Sequence, residues 1–354
     1  MAAIGEFGLI AELSAWLPPD SRTQVGIGDD AAVLAAPDGR VVASTDFLLE
    51  GRHFRRDWSS AADVGRKAAA RSLIDVAAMG AVPTALLVAL AAPGDLPVSW
   101  ARGLAEGLAA ECARAGASVV GGDTSRAGSV LLVTTVLGDL AGRAPVLRSG
   151  AAPGDVVAVT GSLGHAAAGL ALLSAGLADD PARSLAPDPL LTAHRRPHPP
   201  YDAGPEAADL GATAMIDISD GLLADLGHIA DASAVLIDVS AAALAPSEVL
   251  LAAARAVGEA ARRHDFFDRT DRGSSPEQAH ALAWVLTGGE DHALAATFPP
   301  SVALPPRWSV IGRVLAGHGI LVDGRPWAGP AGWDHFAVLA TGGRPLGTPR
   351  GSSG

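Results

Sequence analysis

The sequence holds one cysteine, Cys112, and one lysine, Lys67. A single cysteine excludes an intramolecular disulfide framework and a thiolate-based zinc or iron–sulfur site. It agrees with a reducing cytoplasm, where free thiols persist. Basic residues are scarce as a class: 26 Lys+Arg against 38 Asp+Glu give a net charge of −12. So acidic a chain lacks the positive footprint that holds nucleic acid or an anionic membrane. No apolar run reaches the ~20 residues of a spanning helix. The longest, residues 81–93, is interrupted by Pro83. The first residues carry Glu6 and Glu12 with no basic stretch, so no secretory signal is expected.

Several catalytic signatures are missing as well. There is no G-x-x-x-x-G-K-S/T loop, because Lys67 is followed by alanine. No H-R-D kinase set, H-E-x-x-H zinc helix, EF-hand loop or G-x-S-x-G elbow occurs. If the ligand is a nucleotide, the commonest nucleotide folds are not the ones holding it.

What is present fits a folded α/β protein of two domains. The chain has 354 residues, 49% hydrophobic, and strands alternate with helices. The expected elements are a strand over 41–44 running into an acidic loop, a helix over 61–79, a strand over 84–91 and a helix over 99–114. That second helix would have Ser99 as its N-cap and Gly116 just past its end. Strands over 118–120 and 129–137 would flank a loop at 121–123. Residues 142–154 hold Gly, Pro, Arg and Ser without periodicity and read as the linker. Domains are therefore expected at 1–141 and 142–340, with a disordered tail at 341–354. The second half should hold strands at 155–160, 214–218, 235–239, 309–314 and 320–322, helices at 165–175 and 221–232, and a surface loop at 264–276.

Six clusters carry possible chemistry. Gly26-Ile27-Gly28-Asp29-Asp30-Ala31 matches a dinucleotide fingerprint on paper, but two adjacent carboxylates would repel a pyrophosphate. They suit a hard cation better. Ser44-Thr45-Asp46 sets hydroxyls beside a carboxylate. Asp75 continues a helical stripe from Lys67 and Arg71, where it is also an ordinary partner for Arg71. Gly121-Gly122-Asp123-Thr124 allows close backbone approach to a ligand. In Asp217-Ile218-Ser219-Asp220-Gly221 the first and third residues share a face if extended. Gly288-Gly289-Glu290-Asp291 is the last. Taken singly, each is also what a solvated turn looks like. Taken together, so many carboxylates cost Coulomb energy unless cations offset it. A polyphosphate with several Mg²⁺ ions is the economical partner.

The order of these motifs resembles the thiamine-monophosphate kinase family over nearly the whole chain. The resemblance also takes in Gly5-Glu6-Phe7, His53-Phe54, Arg148-Ser149-Gly150 and Gly332-Trp333-Asp334-His335-Phe336. It implies the two-domain α/β (α+β) fold of aminoimidazole ribonucleotide synthetase, with the N-terminal domains of a homodimer pairing into a β-barrel. It implies transfer of the ATP γ-phosphoryl group to thiamine monophosphate, giving thiamine diphosphate in the cytoplasm. Metal positions would be Asp30, Ser44, Thr45, Asp46, Asp75, Asp123, Asp217 and Asp220. ATP would meet Gly122, Asp123, Arg148 and Ser219; thiamine phosphate would meet His53, Glu290 and Trp333. No general base is required, since the acceptor is already an anion. Lys67 would act near Asp75. Two departures stand out: His292 replaces a tyrosine common in the family, and the stretch 253–275 is long and has no assigned role. A sister synthetase and a non-catalytic cation or nucleotide binder are the competing readings. Selenophosphate synthetase is disfavoured because Cys112 lies mid-helix rather than near the N-terminus.

Overall fold

The computed structural model describes residues 12–18, 20–25, 27, 32–178, 188–263 and 275–333. A short ladder of β1 (Thr23–Val25) and β2 (Val33–Leu34) precedes a four-stranded sheet. That sheet is built from β3 (Val42–Leu49), β4 (Val82–Ala92), β5 (Ser118–Arg126) and β6 (Leu131–Asp139), in the order β3-β6-β4-β5. Only β4 and β5 run parallel. One face is covered by α1 (Ala61–Ala78) and α2 (Val98–Ala115). On β3, alternation turns Ser44, Asp46 and Leu48 toward the helices and Thr45, Phe47 and Leu49 away. The outer face stays apolar and bare, with Phe47 55% exposed and Leu49 40% exposed.

Local sequence explains the helices. Ser60 and Asp63 form a reciprocal capping box that starts α1. The two helices cross closely because glycines remove side chains at the contact. A Cβ on Gly65 would stand 2.2 Å from Leu104 O, and one on Gly107 2.1 Å from Ala62 O. At the start of α2, Pro97 occupies the cap position without a side-chain bond, so Ser99 is inside the helix and not its cap. Gly116, at φ 73°, closes the end as expected.

A seven-stranded sheet follows, from β7 (Val156–Thr160) through β8 (Ala214–Ile218), β9 (Leu236–Val239), β10 (Ala293–Phe298), β11 (Ser309–Leu315), β12 (Gly319–Val322) and β13 (Arg325–Pro326). Its order is β13-β12-β9-β11-β7-β10-β8, with β9 and β12 parallel. Six helices accompany it: α3 (His165–Ser174), α4 (Pro189–Arg195), α5 (Ala203–Asp209), α6 (Leu222–Ser233), α7 (Glu248–Arg263) and α8 (Pro276–Thr287). The two halves share a core in which Met215, Leu294, Phe298 and Trp308 pack with Leu73 and Ile74. Gly204 allows the docking, since a Cβ there would lie 2.0 Å from Ala77 O. No helix among the described residues is long and apolar enough to cross a membrane.

Four differences from the sequence reading have physical causes. β3 runs straight through Ser44-Thr45-Asp46, where a loop was expected, because β6 pairs with every one of those residues. β5 likewise runs through Gly121 to Thr124 in register with β4. Helices α4 and α8, which the sequence reading does not expect, begin at prolines. Proline is well placed in a first turn, and Asp188 and Ser275 cap these two. Helix α7 takes up part of the stretch 253–275, with Ala253 and Ala254 buried. Residues 264–274 of that stretch and of the expected surface loop, the expected tail and Asp30 lie outside the described residues.

Candidate active site

Lys67, Arg71 and Asp75 recur every four residues on α1 and so face one way. Their stripe meets β3 from its own domain and β8 from the other. Asp75 Oδ2 accepts a 2.6 Å hydrogen bond from Ser44 Oγ. Beside it, Ser72 Oγ donates to Asp46 Oδ2 at 2.8 Å and lies 2.7 Å from Thr134 Oγ1. Asp217, at the end of β8, is 6% exposed and completes the group.

Among the described residues, no lysine or arginine forms an ion pair with Asp46, Asp75 or Asp217. Burial, followed by the charges of Asp217 and Asp46, pushes Asp75 up to about 8. Burial and Asp46 push Asp217 up to about 7, against the weaker pull of Arg148 and Arg71. Carboxylates removed from water near like charges resist ionisation in this way.

Two turns back along the stripe the balance reverses. Lys67 Nζ, 1% exposed, donates to Glu290 Oε2 at 2.6 Å and to His194 O at 3.0 Å. Arg71 donates to Glu290 Oε1 at 3.0 Å. Burial alone would raise Glu290, but Lys67 and Arg71 overcome it and hold the carboxyl at about 2. Lys67 therefore serves Glu290, not Asp75. Arg71 likewise turns to Glu290, so Asp75 is not the ordinary helix-surface ion pair its spacing allows.

The segment after α8 grips three elements in consecutive residues. Glu290 holds α1. Asp291 accepts from Gly164 N at 2.5 Å and Ala166 N at 2.8 Å, fixing the start of α3. His292 Nδ1 lies 3.3 Å from Asp217 Oδ2. Glu290 and His292 both adopt positive φ, 68° and 51°. Non-glycine residues take up that conformation at a cost and concentrate at functional sites. Nearby, Leu49 N–H donates to His53 Nδ1 at 3.0 Å, which leaves the ring proton on Nε2. Trp333 N–H donates to Asp220 O at 2.9 Å, and the Arg52 guanidinium lies 5.2 Å from the Trp333 ring centroid. The turn carrying His53 and the segment carrying Trp333 thus meet through Arg52.

The chain matches the models of the AIR synthase related protein N-terminal domain over residues 28–140 and C-terminal domain over 152–323. It is 48% identical to a thiamine-monophosphate kinase of Mycobacterium tuberculosis over 335 residues, which is 94% of this chain and 92% of the relative. The chain belongs to the thiamine-monophosphate kinase family. Two solved structures extend the likeness to the fold. A thiamine-monophosphate kinase from Stenotrophomonas maltophilia superposes at TM-score 0.72 with 32% identity, covering 90% of this chain and 96% of that one. AaThiL complexed with AMPPCP and TMP superposes at 0.71 with 32% identity, covering 95% and 98%.

Within this thiamine-monophosphate kinase family fold, the protomer gathers some of the sequence-derived positions and separates others. Ser44, Asp46, Asp75 and Asp217 come together, with Asp220, Ser219 and Arg148 at their edge. Thr45 is on the opposite sheet face, where its hydroxyl donates to Thr134 O at 3.1 Å. Register carries Asp46 through Thr134 and Val88 to Gly122, and Phe47 through Val133 and Ala89 to Asp123. Three strand spacings put Gly122 and Asp123 about 14 Å from β3. Asp123 is exposed there and accepts from Thr124 N at 2.8 Å. Gly122 has a reason of its own, because a Cβ would stand 1.9 Å from Val88 O.

Among the described residues no three His, Cys, Asp or Glu side chains close around a metal position. The donor set nonetheless fits a hard cation. It is all oxygen, it is uncompensated, and Mg²⁺ takes only one or two carboxylates alongside phosphate and water. Ser72, Arg52 and Asp225 escaped the sequence reading, and Arg71 was placed on the stripe but paired with Asp75 instead of Glu290. Asp225 sits in the first turn of α6, after Gly221, a placement too common for acids to single it out.

Proposed function

We propose that this protein phosphorylates thiamine monophosphate with ATP, yielding thiamine diphosphate and ADP. The observation that carries the reading is the uncompensated trio Asp46, Asp75 and Asp217, drawn from both domains, with Asp75 and Asp217 held up at about 8 and about 7. The named relatives and the AMPPCP and TMP complex supply the reactants. In the reaction an oxygen of the thiamine phosphate attacks the γ-phosphorus in line. The bond from that phosphorus to the β–γ bridging oxygen breaks, and ADP leaves with the electron pair. No proton has to move, so no side chain serves as a general base.

Catalysis then rests on position and charge. Asp46, Asp75 and Asp217, with Ser44, Asp220 and the family positions Asp30, Thr45 and Asp123, would hold Mg²⁺. Bound there, the metal neutralises charge spreading over the transferred group. Arg148 and Ser219 face ATP beside Asp217. Trp333 offers a flat ring to the cationic thiazolium, with His53 on the same side. Glu290 acts from behind, keeping Lys67 and Arg71 in place.

A homodimer agrees with the bare apolar sheet face that carries Phe47 and Leu49, which a second copy would cover. It also agrees with Asp123, which lies too far from Asp46 to serve that group within one protomer. The single buried cysteine suits a cytoplasmic setting.

The test is a discontinuous assay with ATP, Mg²⁺ and thiamine monophosphate, reading thiamine diphosphate by thiochrome fluorescence after separation. Product with ADP from the monophosphate, and none from free thiamine, is expected. Absence of product from a protein that still binds ATP would overturn the reading.

A further inference from the structure

The turn between β8 and α6 looks at first like an anion seat. It follows a strand, contains Gly221 at φ 131° and opens a helix, as phosphate-binding loops do. Its backbone is already spoken for. The N–H groups of Ser219, Asp220 and Gly221 all donate to one oxygen, Asp225 Oδ2, at 3.0, 3.1 and 3.1 Å. The carbonyls are engaged too. Ile218 O accepts from His292 N at 2.8 Å, Ser219 O from Glu290 N at 2.7 Å, and Asp220 O from Trp333 N at 2.9 Å. Gly221 O accepts from Asp225 N at 2.9 Å. The place a phosphate oxygen would take is filled by the chain's own carboxylate.

A second grip comes from the opposite side. His292 is 2% exposed, its Nδ1 faces Asp217 Oδ2, and its Nε2 is buried with no hydrogen-bond partner among the described residues. The imidazole edge thus fixes one carboxylate oxygen of Asp217.

We infer that Asp225 and His292 are positioning residues. They hold the Asp217–Gly221 turn so that its side chains, and not its backbone N–H groups, meet the bound cation and nucleotide. The inference rests on the reading of Asp217 as a metal-holding residue. It has a consequence for chemistry: nucleotide phosphates are gripped here through cations and through Ser219 and Arg148, with no backbone nest. Partners that orient metal ligands typically change metal affinity or activity by about 10- to 100-fold when removed.

The experiment is Mn²⁺ binding followed by calorimetry and electron paramagnetic resonance on the full chain, with no nucleotide present. Asp225→Asn and His292→Phe are expected to weaken Mn²⁺ about 10- to 100-fold while keeping a native circular dichroism spectrum and a cooperative melt. His292→Asn, which keeps an N–H near Nδ1, should retain more affinity than His292→Phe. Should Asp225→Asn fail to fold, the two His292 variants decide the matter. Wild-type Mn²⁺ affinity in either folded variant would overturn the inference, because a purely structural role would lower the melting temperature and leave binding alone. Asp217→Asn separates the two readings. Loss of Mn²⁺ there with retention in Asp225→Asn sinks the positioning role alone, whereas retention in Asp217→Asn sinks the metal assignment beneath it.

Discussion

Two carboxylate sites met by one stripe of α1, about two turns apart from Lys67 to Asp75, behave in opposite ways. At Glu290 the chain supplies its own cations, Lys67 and Arg71, and the carboxyl is held at about 2. At Asp75 and Asp217 no lysine or arginine among the described residues forms an ion pair, and the carboxyls rise to about 8 and about 7. Burial opposes ionisation at both. What differs is whether a partner is built in. The first arrangement is a finished contact that ties the domains together. The second is a contact left open for a charge from outside, which is what a binding site for a metal–phosphate complex requires.

Lys67→Met should give the largest effect, because it leaves half-buried Glu290 with Arg71 as its remaining ion-pair partner on α1. A loss of about 3 kcal/mol, the low end for a broken buried pair, is expected from urea unfolding at neutral pH. Asp75→Asn should act in the opposite sense. Turnover falls about 10²- to 10³-fold, while metal-free stability stays level or rises, because Asn needs no proton uptake to stay buried there. Destabilisation of Asp75→Asn comparable to that of Lys67→Met would erase the contrast. Trp333→Ala is expected to be the mildest. Its KM for the thiamine substrate rises about tenfold, the scale of a desolvated cation–π contact, with KM for ATP unchanged. An unaltered KM for both substrates would return Trp333 to packing against Arg52.

Much of this was legible in the sequence for definable reasons. The stripe Lys67, Arg71, Asp75 follows from helical spacing and needs no partner to be seen. The acids at 44–46 and 217–221 are visible because they end apolar runs. The sequence does not show that β3 continues through Asp46, since acids and hydroxyls are poor strand formers and only pairing with β6 decides the matter. Nor does it show that Lys67 meets Glu290, 223 positions away in the chain. Asp123 is equally instructive. It reads like the other acids, yet sheet order sets it on the far strand from Asp46. Asp225 was hidden because its role lies in the backbone it holds, and a lone acid in a first turn is common.

The acid group is incomplete without a cation, and thermal melts with and without Mg²⁺ put this to the test. Asp75 and Asp217 have folded values of about 8 and about 7, above their ordinary 3.8. The metal-free native state thus keeps protons that the unfolded chain has released, and these groups make stability fall as pH rises toward 8. Buried His194 and His292, both down at about 3, act with the opposite sign, but only below their ordinary 6.5. Glu290, at about 2, matters only below its ordinary 4.5. Between pH of about 6.5 and about 8.5 the remaining groups of this kind are Asp225, pushed by burial to about 8, and Asp291, pushed to about 7, and the difference made by Mg²⁺ cancels groups that do not meet the metal. The predicted result is a Mg²⁺-induced rise in melting temperature that grows across that interval and is lost in Asp217→Asn. A rise equal at both pH values, or none at all, would contradict the account.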